Sequence, residues 1–285
     1  MKYAVEIKKL KKNYQNFNLK IDNLNIPSGV VVGLIGENGA GKTTLIKLLL
    51  NAINKNDGEI KIFDKDLKHN EIQVKEDIGV VLDNSFFPET LNAKNIDTIM
   101  KDIYKRWDSK LFYKYLNDFK IKDNQILKAM SKGMRKKVEI ATALSHHPKL
   151  LILDEATSGL DPIVRNEILD LFFNFIEDEE HTIILSTHIT SDLEHIADYI
   201  VFIDKGEVVL EKQRDEIIDN YGILKCDTDQ FNKIDKLDIV SFKKNKYNYE
   251  ILIDDKEKCQ KKYKDFIIDK ITLEDLMLLI IKGGK

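Results

Sequence analysis

The chain has 285 residues, 43% of them hydrophobic and 33% charged, and its 45 basic side chains against 48 acidic ones leave a formal net charge of −3. That length allows one large domain, or a domain with an appendage, and the apolar share is enough for a sizeable core. The near-neutral balance gives no electrostatic pull toward nucleic acid, although a local basic patch is compatible with it.

Met1–Lys9 lacks the unbroken apolar core of a signal peptide. No apolar run approaches the roughly 18 residues that span a bilayer. The chain therefore reads as soluble, or as peripheral through a partner. Cys226 and Cys259 match no metal-ligand spacing and read as free thiols of a reducing compartment, with a disulfide as the alternative.

In chain order, Ala4–Ile7 is a first strand, and Phe17–Ile21 alternates apolar and polar residues as a half-buried strand does, with Tyr14 between them. After the turn Pro27-Ser28-Gly29, a β-branched run leads into Gly36–Thr44, which fits G-x-x-x-x-G-K-[ST]. A loop that cradles phosphate must turn its backbone N–H groups inward on a tight curve, and a Cβ would obstruct it. Lys42 can then reach the β- and γ-phosphates, and the Thr43 hydroxyl can hold Mg²⁺. The helix that follows is expected to end near Asn54, where turn residues cluster.

Glu59–Phe63 and Ile78–Leu82 are further strands, and from about 84 to 148 apolar residues recur at helical spacing, as a helical insertion. The run from Lys149 ends in Asp154-Glu155. Pro162 follows Asp161, a candidate N-cap. Thr182–Ser186 is another buried strand, and Tyr199–Ile203 and Glu207–Leu210 flank the turn Lys205-Gly206. Beyond about Asn220, strand-like pieces at Ile239–Phe242 and Tyr249–Ile253 and an amphipathic helix at Leu273–Lys282 indicate a small α+β appendage, with a disordered tail as the alternative.

At a strand terminus, Asp154 can sit beside Mg²⁺, a hard cation that prefers oxygen, and Glu155 can act on an attacking water. Three further pieces follow the phosphate loop: Met130–Met134 before a helix, Ser158-Gly159-Leu160-Asp161, and Ser186-Thr187-His188 at a strand end. In chain order, the phosphate loop, Met130–Met134, the run ending in Asp154-Glu155, Ser158–Asp161 and Ser186–His188 together resemble the ATP-binding subunit of an ABC transporter, over residues 3 to about 215.

The resemblance implies an α/β fold: a P-loop NTPase core with a mostly parallel sheet, an antiparallel β subdomain, a helical insertion and a small C-terminal α+β appendage. It implies an ATP-binding domain over residues 1–220, with its helical subdomain at about 84–148, and a small domain over 221–285. Tyr14 would stack on adenine, the alternative being an ordinary surface aromatic. Gly36, Asn38, Gly39, Ala40, Gly41, Lys42, Thr43 and Thr44 would hold the phosphates. Thr43, Asp83 and Asp154 would hold Mg²⁺. Glu155, His188 and Lys42 would be catalytic. Ser131, Gly133 and Asp161 would act across an interface with a second, identical ATP-binding subunit, since the family sandwiches two ATP molecules between head-to-tail subunits.

The chain departs from the family in two places, the signature and Asp83. In the usual Leu-Ser-Gly-Gly-Gln signature, Lys132 here replaces the first Gly and Met134 the Gln. Lys132 either adds a cation near the transferred phosphate or is a solvated lysine on a helix end. Asp83 stands where the family has Gln; its carboxylate can still offer Mg²⁺ an oxygen, but it brings negative charge toward the triphosphate. Both variants resemble single-cassette bacterial ATPases that pair with a separate permease, among them exporters linked to antibiotic and antimicrobial-peptide resistance.

The expected function is ATP hydrolysis driving transport, as export, through a separate polytopic permease, with the chain on the cytoplasmic face of the membrane and no nucleic-acid partner. Phe86-Phe87-Pro88 would begin the permease groove or else belong to the subdomain core. The alternatives are a soluble ABC-type ATPase acting on ribosome or DNA, and a non-hydrolysing regulatory module. One cassette, and a Lys42–Ser131 interval with room only for a helical subdomain, weigh against the first.

Overall fold

The computed structural model describes residues 2–284. Met1 and Lys285, the outer ends of the two expected domains, lie outside the described residues. Three sheets organise the described residues. The first is antiparallel, in the order Asn18–Pro27, Tyr3–Asn13, Asp57–Ile62, Lys65–Asp66. The second has six strands, in the order Glu207–Gln213, Tyr199–Asp204, Val31–Ile35, Thr182–Ser186, Leu150–Asp154, Ile78–Val81. Its last five strands run parallel, and Glu207–Gln213 joins antiparallel at the edge.

Sequence and burial agree in the second sheet. Val31–Ile35, Leu150–Asp154 and Thr182–Ser186 are buried at every position, as expected for parallel strands covered on both faces. One face packs Leu153, Leu185, Phe172 and Ile196 into a large core. The other packs Leu34, Ile152 and Ile184 with Leu45, Ile46 and Leu49 of the helix Lys42–Leu49 and with the inward residues of the first sheet. That helix stops at Leu49, short of the Asn54 expected from turn composition. Asn51 takes a left-handed φ of 50°, and the Ala52 N–H turns back to Lys47 O at 2.9 Å. The chain thus closes its last turn before the turn-rich stretch begins.

Between Ile78–Val81 and Leu150–Asp154 lie the helices Ala93–Ile103, Ser109–Asp118 and Lys132–Leu144, packed around Phe112, Ile96, Leu116 and Val138. Phe87 packs against this core, whereas Phe86 is 76% exposed. The two aromatics that sequence treats alike therefore part company. His146 is buried, with Nε2 3.0 Å from Ile78 O and its ring stacked 4.0 Å from Tyr104. Burial lowers its pKa below the usual histidine value, an effect larger than the opposing backbone contacts.

After residue 220 comes a four-stranded antiparallel sheet in the order Ser241–Lys244, Tyr249–Ile253, Gly222–Cys226, Ile267–Lys270. Gly222–Cys226, which the sequence reading passed over, is one of its two inner strands. Its residues, Gly-Ile-Leu-Lys-Cys, show no clean apolar–polar alternation, so pairing rather than pattern defines it. The two cysteines are free, buried in this part of the chain, and burial pushes both thiols up to about 11. Thr272 caps the helix Leu273–Lys282, whose Leu273, Leu276 and Leu279 enter the large core on the first face of the six-stranded sheet.

Candidate functional site

Parallel register brings three carboxyl ends of strands to one edge. Leu34 pairs with Ser186, and Asp154 pairs with the same Ser186. The segments that follow those strands, Gly36–Thr44, Glu155–Asp161 and Thr187–His188, therefore converge, at the position where open α/β sheets place their ligands.

The loop is built on glycine. Gly36, Gly39 and Gly41 have φ of 153°, 85° and 120°. A Cβ on Gly36 would lie 2.2 Å from Ile203 O, and one on Gly41 2.9 Å from Leu19 Cδ1. No side chain fits at either place. Lys42, 7% exposed, donates from Nζ to Gly36 O at 2.7 Å and to Glu37 O at 3.2 Å. Burial lowers its pKa, and the carboxylates of Glu155 and Asp154 oppose that shift. The amine is thus folded onto carbonyl oxygens, acceptors that phosphate oxygens can replace.

Thr43 Oγ1 donates to Asp154 Oδ2 at 2.9 Å. Both groups, with Asp83, line an open cavity of about 640 Å³ shared by Tyr14, Asn38, Gly39, Gly41, Lys42, Thr44 and Glu155. Ala40 lines an adjoining hollow with Asn38 and Gly39. No group of three or more His, Cys, Asp or Glu among the described residues could hold a metal on its own. Mg²⁺ needs none, because it is usually held by one or two protein oxygens together with phosphates and water. The hydroxyl–carboxylate pair at the phosphate loop fits it. Tyr14 is 45% exposed, with Lys12 Nζ 5.1 Å from its ring centroid.

Glu155 holds a left-handed φ of 53°, a conformation costing a non-glycine residue roughly 1–2 kcal/mol. Its N–H donates to Ser186 O at 2.8 Å, which extends the strand pairing one residue past Asp154. The carboxylate then meets His188: Oε2 is 2.7 Å from Nδ1. An ionised carboxylate can only accept, so Nδ1 carries the proton.

Ser131, Gly133 and Asp161, like Gly36, Ala40 and His188, are not among the residues lining this cavity. Ser131 caps the helix Lys132–Leu144, its Oγ accepting from Met134 N at 3.2 Å. Gly133 faces Val164, 3.3 Å from where a Cβ would stand. Asp161 caps Pro162–Ile176, accepting from Val164 N at 3.1 Å. The amine of Lys132 lies over Gly159, 2.7 Å from the place of a Cβ there. One departure from the signature thus rests on the Ser158–Asp161 segment of its own chain.

Sequence reasoning missed the polar ties behind the site. Lys136 Nζ donates to Leu82 O at 2.7 Å, joining the Ser131-capped helix to the residue before Asp83. Thr157, Arg165 and Asp192 form a second tie. The helices that carry Lys136 and Asp192 hold other charged residues as well, so nothing in the sequence marks these two, and sequence distance hides their partners.

A glycine loop between a buried strand and a helix, a lysine turned into it and a carboxylate on its Thr define a P-loop nucleoside triphosphatase. Comparison with known proteins narrows the class. Residues 19–158 match the sequence model of the ABC transporter family. The lantibiotic transport ATP-binding protein SrtF of Streptococcus pyogenes is 36% identical over 214 residues, covering 74% of this chain and 91% of that protein. The bacitracin transport ATP-binding protein BcrA of Enterococcus faecalis is 32% identical, over 76% of this chain and 71% of that protein. The solved structure of cbiO1 from Clostridium perfringens, part of the ABC transporter complex cbiONQ, superposes with a TM-score of 0.64 at 27% identity, covering 76% of this chain and 91% of that one. The chain belongs to the ABC transporter family. It is an ATP-binding and ATP-hydrolysing subunit, with ATP and Mg²⁺ as its ligands.

Proposed function

We propose that this chain powers export of a peptide antibiotic, working as one of two identical subunits on the cytoplasmic face of a separate membrane permease. Among the described residues no helix is long and apolar enough to cross a membrane, so transport needs a partner that does. The peptide class rests on the names of the two relatives, a lantibiotic transporter subunit and a bacitracin transporter subunit.

One observation carries the hydrolytic mechanism: the Glu155 carboxylate, fixed at a strained backbone position beside the phosphate loop, is hydrogen-bonded to His188. Lys42 exchanges its carbonyl acceptors for phosphate oxygens. Thr43 and Asp154, with Asp83 near them, hold Mg²⁺, which supplies charge neutralisation when bound. Glu155 orients the attacking water and accepts its proton, while the His188 imidazole keeps that carboxylate in place. Tyr14 offers its ring to the adenine.

Ser131, Gly133 and Asp161 complete the site of the second subunit. A helix N-terminus bearing N–H groups is suited to meeting a phosphate across an interface. Residues 1–220 form the ATPase unit, with the subdomain at about 84–148, and residues 221–285 a unit built onto its core. The permease helix docks in the groove of about 180 Å³ lined by Phe86, Phe87, Met100 and Tyr104, where Phe86 is exposed. Nucleic acid plays no part.

The test is Mg²⁺-dependent phosphate release by the purified chain, alone and co-reconstituted with a polytopic membrane protein found to co-purify with it. Glu155→Gln should abolish release while ATP still drives dimer formation in gel filtration. Wild-type turnover no faster than that variant's would make the chain a regulatory module. Unchanged sensitivity of cells to lantibiotics and bacitracin after gene deletion would remove the peptide substrate.

A further inference from the structure

Behind the Glu155–His188 pair stands a buried carboxylate that is no part of the cavity. Asp192 is 1% exposed and Thr157 fully buried. Thr157 Oγ1 donates to Asp192 Oδ2 at 2.7 Å. Arg165 donates from Nε to Asp192 Oδ1 at 2.5 Å and from its terminal nitrogen to Ser191 Oγ at 2.9 Å. The carboxylate therefore receives a hydroxyl on one oxygen and a guanidinium on the other.

The three residues lie on, or on the helices just beyond, the two segments that carry the hydrolytic pair. Thr157 is two residues beyond Glu155. Asp192 is four residues beyond His188, on the helix Thr190–Ile196. Arg165 is on the helix Pro162–Ile176, which Asp161 caps. Few other bonds span the two segments: Glu155 N–H to Ser186 O, and the Glu155–His188 contact itself. Gly159, at φ 67°, interrupts the chain between Thr157 and Asp161.

We propose that Asp192 is a positioning residue for ATP hydrolysis: through Thr157 and Arg165 it locks the segment carrying Glu155 to the segment carrying His188, so that the two side chains stay in hydrogen-bond register. The inference rests on the reading of Glu155 and His188 as the hydrolytic pair. A buried, charge-assisted network of this kind holds its members more tightly than isolated neutral bonds do. Reacting groups displaced by about 1 Å can lose about a hundredfold in rate.

The experiment compares steady-state ATP hydrolysis and ATP affinity in the full-length chain for Asp192→Asn, Thr157→Val and Thr157→Ser. Asp192→Asn and Thr157→Val are expected to lower kcat about tenfold or more, with the Kd for ATP within about twofold of wild type. Thr157→Ser, which keeps the donor, retains the wild-type rate. In a His188→Ala background, Asp192→Asn should cause no further loss of kcat, although any drop in melting temperature persists. A purely structural role would lower stability without this dependence on His188.

Unchanged kcat in Asp192→Asn and Thr157→Val overturns the proposal, as does an equal fractional loss with and without His188. Should Asp192→Asn not fold, Thr157→Val against Thr157→Ser decides alone. If Glu155→Gln retains hydrolysis, the reading of the pair has failed, and that result is separate from the outcome for Asp192.

Discussion

Glu155 and His188 stand 33 residues apart in sequence, yet Oε2 of one is 2.7 Å from Nδ1 of the other. Each lies just beyond a buried strand, and those strands are hydrogen-bonded neighbours with Asp154 opposite Ser186. The contact is thus a product of parallel register. Two groups that act as a unit should not have additive effects. His188→Ala is expected to lower phosphate release about a hundredfold, and Glu155→Gln at least as much. The double variant should be no slower than Glu155→Gln, as single-turnover assays would show.

Lys42 supplies a pH-dependent test. Burial lowers its pKa below 10.5, and only the protonated amine carries the charge that neutralises phosphate and makes its hydrogen bonds charge-assisted. Affinity for ATP should therefore be full on the neutral side and fall as pH rises through the lowered pKa, before 10.5 is reached. Lys42→Met should weaken ATP about tenfold to a hundredfold, the range for bonds to a charged group, and should lose this pH dependence. Calorimetric titration at neutral and alkaline pH checks both.

Asp83 is exposed and lines the cavity together with Thr43 and Asp154. Its charge repels the triphosphate unless Mg²⁺ intervenes. Asp83→Asn is expected to bind ATP about two- to fivefold more tightly in EDTA, the scale of a solvent-screened charge interaction, and to need less Mg²⁺ for half-maximal hydrolysis. Superimposable Mg²⁺ titrations would leave the carboxylate without influence on the site.

His146 makes stability fall with acid. Its pKa is lowered from 6.5 by burial, so below 6.5 the unfolded chain takes up a proton that the folded chain refuses. The folded state loses stability as pH drops from 6.5 toward the lowered value, and this contribution is flat above 6.5. His146→Gln should remove that part of the slope, as thermal melts across mildly acidic pH would reveal.

Leu276 tests how the last helix is held. It is fully buried and belongs to the same core as Phe172 and Leu185. Leu276→Ala should cost about 2–5 kcal/mol of stability through lost contacts and a cavity, read from urea denaturation followed by far-UV circular dichroism. An effect below about 1 kcal/mol would mean that the helix can leave the core.

Local constraints made much of the protein legible from its residues. A phosphate loop needs glycine where a Cβ has no room, and Gly36 and Gly41 meet that need. Buried parallel strands need unbroken apolar runs, and the helix that starts at Pro162 needs Asp161 as its cap. Those demands act over a few residues, so phosphate loop, strand ends and that cap were readable from the chain.

What required the tertiary structure was everything set by pairing at long range. The inner strand Gly222–Cys226, the different fates of Phe86 and Phe87, and the place of Lys132 over Gly159 are of this kind. So is the tie of Thr157 and Arg165 to Asp192. A hydrogen bond between distant residues leaves no periodicity behind; only the folding of the strands into register decides which buried charge meets which partner.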